Sequence, residues 1–178
     1  MLKREKRIVI LSAVELKKTI SRLTFEILEK VTKIEDLLLV GVPTRGVHLA
    51  EVLEKEMFSK TGLKVSKGII DPTFYRDDQE RVGTRLLKAT DIPTPIEKKE
   101  IILIDDVIYT GRTIRASIDA LHSWGRPKKI MLLVMVDRGH RELPIQPDFC
   151  GRKIPTSKNE SINLCLKPID DEEGVFLV

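Results

Sequence analysis

The chain is short of the residues that announce disulfide or metal chemistry. It has two cysteines and three histidines in 178 residues. Cys150 and Cys165 show no ligand spacing, which excludes a structural zinc site and a disulfide framework and predicts two reduced thiols. No apolar run approaches the roughly 18 residues that a membrane-crossing helix needs, so no membrane partner is expected. The basic start MLKREKRIVILSAVELKK has an apolar run that stops at Ser12. That run is too short for a secretory signal, and a cytoplasmic location is expected. Internal repeats and low-complexity tracts are missing too. The net charge is only +4, with a pI near 9.0, which permits a polyanionic partner without demanding one.

What remains is an ordinary globular mix, 42% hydrophobic and 33% charged, long enough for one sizeable domain over residues 1–178. Strand-like apolar runs alternate with helix-period segments. This predicts an α/β fold: an open, twisted, mainly parallel sheet flanked by helices. Strands are expected at 7–11, 36–42, 63–70, 100–104 and 129–136, with late strands in SINLCL and VFLV. Ser12 and Glu15 form a capping box for a helix whose core stripe is Leu16, Ile20, Leu23, Ile27 and Val31. Further helices are expected after PTRG and over 113–125, the latter closed by Gly125 and Pro127. Residues 71–98 and 137–160 break the alternation. Long irregular segments in a compact domain are usually functional or disordered. The first is read as a mobile lid and the second as a small hood subdomain.

The informative stretch is IILIDDVIYTGRT, residues 101–113. An apolar strand runs into two adjacent carboxylates, which repel each other and resist leaving water. Thr110, Gly111 and Thr113 follow, and a helix begins there. Gly111 permits a backbone that exposes successive amides, and the helix start adds N–H donors and a positive dipole end. A phosphate fits residues 110–113. Asp105 and Asp106 then suit a ribose diol, or a hydrated Mg²⁺, on the same ligand. The bland alternative is an aspartate pair that caps a turn. The order of strand, paired acids, Thr-Gly-x-Thr and helix favours the sugar phosphate.

This stretch resembles the phosphoribosyl pyrophosphate motif of type I phosphoribosyltransferases. VDRGHRELPIQPDFCGRKIPTS (136–157), DPTFYRDD (71–78) and TRG (44–46) further resemble one family within that group, the bifunctional pyrimidine operon regulators with uracil phosphoribosyltransferase activity. The resemblance spans about residues 8–166. It implies the type I phosphoribosyltransferase fold with a small hood. It also implies a reaction in which uracil and phosphoribosyl pyrophosphate give UMP and pyrophosphate, with Mg²⁺ brought by the substrate. Asp105 and Asp106 would be the catalytic acids. Val107, Ile108, Tyr109, Thr110, Gly111, Arg112 and Thr113 would form the ribose 5-phosphate loop. Thr44, Arg45 and Gly46, with Arg76 from the lid, would hold the pyrophosphate. Pro43 stands where the family often has a longer polar residue, and it removes one N–H. Arg138 and Ile162 would face the nucleobase or nucleotide. His140 is read as structural, because uracil needs little acid–base help when the pyrophosphate departs dissociatively. His48 and His122 read as incidental, and Met131, Met135 and Trp124 as packing residues.

The resemblance also implies sensing of UMP or UTP, binding to an mRNA leader, and a homodimer or higher assembly. Lys18, Ser21, Arg22, Phe25, Arg141 and Lys153 are the RNA candidates. The family commonly has Thr and His where this chain has Ser21 and Phe25. Phe25 would stack on a base or bury in a subunit interface. An enzyme without an RNA role, or a transferase for another base, remains the alternative. The DRGHRELP block argues against a purine or orotate enzyme.

Overall fold

The computed structural model describes residues 7–77 and 89–178. Residues 78–88, the middle of the expected lid, lie outside the described residues. The elements run β1 (Ile8–Leu11), α1 (Ala13–Lys30), β2 (Leu37–Gly41), α2 (Arg45–Thr61), β3 (Ser66–Ile69), β4 (Glu100–Ile108), α3 (Arg112–His122), β5 (Lys129–Asp137), β6 (Phe149–Lys153), β7 (Ile162–Cys165) and β8 (Gly174–Leu177). A parallel sheet has the order β3-β2-β4-β5-β6, and a small antiparallel sheet has the order β1-β8-β7.

The period-2 pleat divides the central strands between two cores. Leu37, Leu39, Ile102, Ile104, Met131 and Leu133 pack with Leu16, Leu23 and Ile27 of α1 and Leu49, Leu53 and Met57 of α2. The small sheet joins that face through Leu11, Leu164 and Val175. Leu38, Val40, Ile101, Leu103, Leu132 and Val134 pack on the other face with Ile114, Ala120 and Leu121 of α3. Strands covered on both faces read as unbroken apolar runs. The capping box at Ser12 forms as expected: Glu15 N–H donates to the Ser12 hydroxyl, and the Glu15 carboxylate accepts from the Ser12 amide at 2.8 Å.

Two expectations change. Strand β4 does not stop before the aspartates. Its pairing with β5 runs from Glu100↔Lys129 to Asp105↔Val134, then resumes at Val107↔Val136 and Ile108↔Asp137. Asp106 N–H donates to Asp105 Oδ1 at 2.9 Å, and Val107 N–H to Asp106 Oδ1 at 2.8 Å. The two carboxylates thus take up strand amides at the end of the sheet. The segment 137–160, read as irregular, contains β6, which pairs in parallel with β5 as an edge strand of the main sheet. Edge strands carry little apolar signal, and FCGRK buries only Phe149 fully.

At the opposite end of β4, Glu100 is buried and accepts from Lys128 Nζ at 2.7 Å and from Thr32 Oγ1 at 3.2 Å. The Lys128 hydrogen bond, opposed by burial, holds this carboxyl below the usual glutamate range. Its stabilising contribution is complete above the unfolded-state value and is lost as pH falls through the depressed folded-state value. Glu100→Ala is expected to cost about 1–3 kcal/mol in urea unfolding at neutral pH. The difference from the parent protein should shrink in acid.

Candidate functional site

The chain leaves β2 for β3 on one side and β4 for β5 on the other, so the topological switch point lies between β2 and β4. Ligands of open parallel sheets bind beyond the carboxyl ends of the strands at such a point. The loops that leave β2 and β4 there are residues 42–44 and 109–111, the two segments singled out from the sequence.

A cavity of about 460 Å³ opens at the end of β4. Asp105, Val107, Ile108, Tyr109, Thr110, Gly111, Arg112 and Thr113 line it, and Arg76, Ile114 and Glu142 complete it. Asp105 is 8% exposed and Asp106 beside it is half-buried. Gly111 precedes α3 in the left-handed region with φ +93°, a conformation that favours glycine. The helix start therefore presents N–H groups and its positive dipole end at the cavity. Such an arrangement can accept a dianionic phosphate, and the Asp105 carboxylate in the cavity wall can accept hydroxyl donors.

Gly46, the second residue of α2, presses against β4. A Cβ there would stand 2.3 Å from the Ile104 carbonyl oxygen and 3.2 Å from Asp105 Cα. This close approach places the loop after β2 beside the first aspartate. Thr44 precedes the helix, and the Pro43–Thr44 peptide is cis. Arg45 turns away from the cavity to an ion pair with Asp170, Nη2–Oδ1 2.7 Å.

Arg76 reaches the start of α3, donating from Nη1 to Thr113 Oγ1 at 2.6 Å. Arg112 is held by Asp77 at 2.7 Å and Glu142 at 2.8 Å. Arg115 Nη2 donates to the Tyr75 carbonyl at 2.9 Å. Residues 75–77, within the described part of the expected lid (71–98), are thus docked on the first turns of α3. Neither Glu142 nor Asp170 carried a sequence signal. Their partners lie 30 and 125 residues away.

Arg138 is buried. It donates to Thr156 Oγ1 and to the Ser157 carbonyl, both at 3.0 Å, with its guanidinium 4.3 Å from the Tyr109 ring centroid. His140 meets the same ring edge-on at 5.7 Å, and its Nε2 lies 2.6 Å from the Thr156 carbonyl oxygen. Arg138 and His140 therefore meet the loop after β4 through Tyr109. Ile162 does not join them. It is 8% exposed on β7, inside the core beneath α1. The apolar alternation of SINLCL accounts for that placement.

The RNA candidates separate. Lys18, Arg22 and Lys153 are exposed, and Arg22 bridges α1 to β6 through the Gly151 carbonyl at 2.7 Å. Ser21 faces the Glu56 carboxylate of α2. Phe25, 52% exposed, lies under Lys60 Nζ at 4.3 Å from its ring centroid. Arg141 is turned inward, its guanidinium bound to Asp137 and two main-chain carbonyls, because a buried cation must saturate its donors.

Among the described residues no group of three His, Cys, Asp or Glu is placed to hold a metal. Hard oxygen donors from two carboxylates fit a magnesium ion that arrives on a substrate's phosphates. They do not fit one caged by the protein. Both cysteines are free thiols, and burial pushes the Cys150 thiol up. No helix of the described residues is long and apolar enough to cross a membrane.

The phosphoribosyl transferase domain family matches residues 10–168. The bifunctional protein PyrR of Microcystis aeruginosa is 51% identical over 96% of this chain and 97% of its own. That of Latilactobacillus sakei is 48% identical over 94% and 96%. Among solved structures, hypoxanthine phosphoribosyltransferase from Trypanosoma cruzi superimposes with a TM-score of 0.74. It is 14% identical and covers 97% of this chain and 95% of that one. At that identity the likeness speaks for the fold alone.

Proposed function

The chain belongs to the phosphoribosyl transferase family and, within it, to the bifunctional PyrR proteins, and from that membership we propose that it is a pyrimidine operon regulator with uracil phosphoribosyltransferase activity. It converts uracil and phosphoribosyl pyrophosphate to UMP and pyrophosphate in the cytoplasm. The observation that carries this reading is the cavity at the end of β4. There a paired-acid strand end and a glycine-turned helix N-terminus stand together at the sheet's switch point.

Residues 110–113 bind the 5′-phosphate, and Arg76 adds a cation at Thr113. Asp105 and Asp106 hold the ribose hydroxyls and stabilise positive charge growing on C1 as the pyrophosphate leaves. Thr44 and Gly46 provide the pyrophosphate side of the crevice. Arg45 joins them if its ion pair with Asp170 opens. Magnesium carried by the substrate neutralises the pyrophosphate. The chain's own contribution is to fix geometry and to place charge where it develops. Arg138, in the segment that follows β5, shapes the slot for a flat, neutral pyrimidine.

For the regulatory half, exposed Lys18, Arg22, Arg152 and Lys153 lie on α1 and the adjoining β6. Lys18 and Arg152 both act on Glu15, which places the two elements' charges together. Such a face neutralises RNA phosphates, with binding that weakens steeply in salt. UMP or UTP would occupy the same cavity as phosphoribosyl pyrophosphate and so report the pyrimidine supply.

A panel of bases assayed with phosphoribosyl pyrophosphate and Mg²⁺ tests the enzyme. Nucleotide formation is expected with uracil and not with hypoxanthine, guanine or orotate. Equal use of a purine would overturn the base assignment. A salt-dependent, UMP-dependent shift of a pyr leader RNA tests the regulator.

A further inference from the structure

The carbonyls of the phosphate loop are all committed. Ile108 O accepts from Arg138 N at 3.2 Å, and Tyr109 O from Arg141 Nη1 at 2.8 Å. Thr110 O accepts from both Glu142 N at 3.0 Å and Leu143 N at 3.2 Å, while Gly111 O joins the helix through Arg115 N at 3.0 Å. In a planar trans peptide the C=O of one residue and the N–H of the next point in opposite directions. Drawing the carbonyls of residues 108–110 into the segment 138–143 therefore turns the amides of residues 109–111 the other way. An anion cradle needs its amides to converge and its carbonyls removed, because a carbonyl oxygen facing a phosphate repels it.

Two of these three carbonyls are held by backbone amides. Tyr109 O is held by a side chain, and that side chain is built in. Arg141 is 14% exposed. Its other donors go to Asp137 Oδ2 at 2.6 Å and to the Ile145 carbonyl at 2.8 Å. Asp137 in turn accepts from Gly139 N–H at 3.0 Å, and the aliphatic stem of Arg141 lies behind Gly111. The planar guanidinium alone can serve three acceptors fixed in these directions, and lysine cannot.

We infer that Arg141 is a positioning residue for phosphate binding, orienting the Thr110 amide by holding the Tyr109 carbonyl away from the cavity. This rests on the reading of residues 110–113 as the phosphate site. It assigns to the interior a residue whose charge alone points to a surface role. It also makes Asp137 and Arg141 a support of the phosphate loop, apart from Arg138, which faces the base.

The test compares UMP with uridine, which lacks only the phosphate, by NMR titration of the full chain. Arg141→Met alone would strand the Asp137 charge, so the variant is Asp137→Asn with Arg141→Met. The asparagine side chain keeps an oxygen to accept from Gly139 N–H. UMP affinity is expected to fall about tenfold or more, with uridine affinity within about twofold of the parent. Arg141→Lys, which keeps the buried charge pair, should fall between the two and serves if the double variant does not fold. In the assay, KM for phosphoribosyl pyrophosphate should rise more than kcat falls. Parallel losses for UMP and uridine, or an unchanged UMP affinity, would overturn the inference. A parent protein that binds UMP no more tightly than uridine would instead overturn the phosphate site beneath it.

Discussion

Asp105→Asn and Asp106→Asn are each expected to lower kcat by about 10²–10³-fold while scarcely moving the thermal unfolding midpoint. The separation follows from how the two carboxylates are used. Each spends one oxygen on the next backbone N–H, at 2.9 Å for Asp105 and 2.8 Å for Asp106. Asparagine retains an oxygen to accept that bond, so the end of β4 keeps its shape. What disappears is the negative charge that the proposed function sets close to the ribose carbon on which positive charge grows. Asp105 lines the cavity directly at 8% exposure, where charge acts through little water. Steady-state assay beside a melting curve separates the two effects. Parent-like turnover in either variant with substrate bound would remove that aspartate from the catalytic assignment.

Gly46→Ala should fail differently, with stability and turnover falling together. The added methyl group would sit 2.3 Å from the Ile104 carbonyl oxygen, a main-chain atom that cannot step aside. Helix α2 must then lift from β4. Its Leu49, Leu53 and Met57 are fully buried against the same strands. Overpacking of this kind costs about 1–3 kcal/mol. The lift also opens the gap between the loop after β2 and Asp105, so the pyrophosphate and the ribose are no longer presented together. Urea unfolding and the uracil assay on one preparation measure both. A variant that lost stability and kept full turnover would show that the approach of α2 matters only for packing.

Local chemistry was legible in the sequence. The Ser12–Glu15 capping box, the buried strands and the glycine-turned loop at 110–113 each depend on neighbours within a few residues. The apolar character of LLLV and LLVMV likewise foretold a sheet covered on both faces. Long-range commitments were not legible. Arg45 reads as a free cation beside a helix start, yet its partner Asp170 is 125 residues away. Arg141 reads as a surface charge in a polar segment, yet its acceptors include backbone carbonyls, which leave no trace in side-chain identity. β6 was missed because an edge strand with a glycine and two charged residues has little hydrophobic signal. Ile162, read as facing the nucleotide, packs on β7 among core residues and does not line the cavity at the end of β4. The pattern has one physical cause. Capping and periodicity are written in adjacent residues, whereas buried ion pairs and edge-strand docking are decided by tertiary packing.

A crystal structure of the protein with phosphoribosyl pyrophosphate and Mg²⁺ is the direct measurement. The 5′-phosphate should lie within hydrogen-bond distance of the N–H groups of residues 110–113, with the ribose hydroxyls on Asp105 and Asp106. A pentose phosphate bound elsewhere, with the end of β4 left vacant, would contradict the site and the function drawn from it.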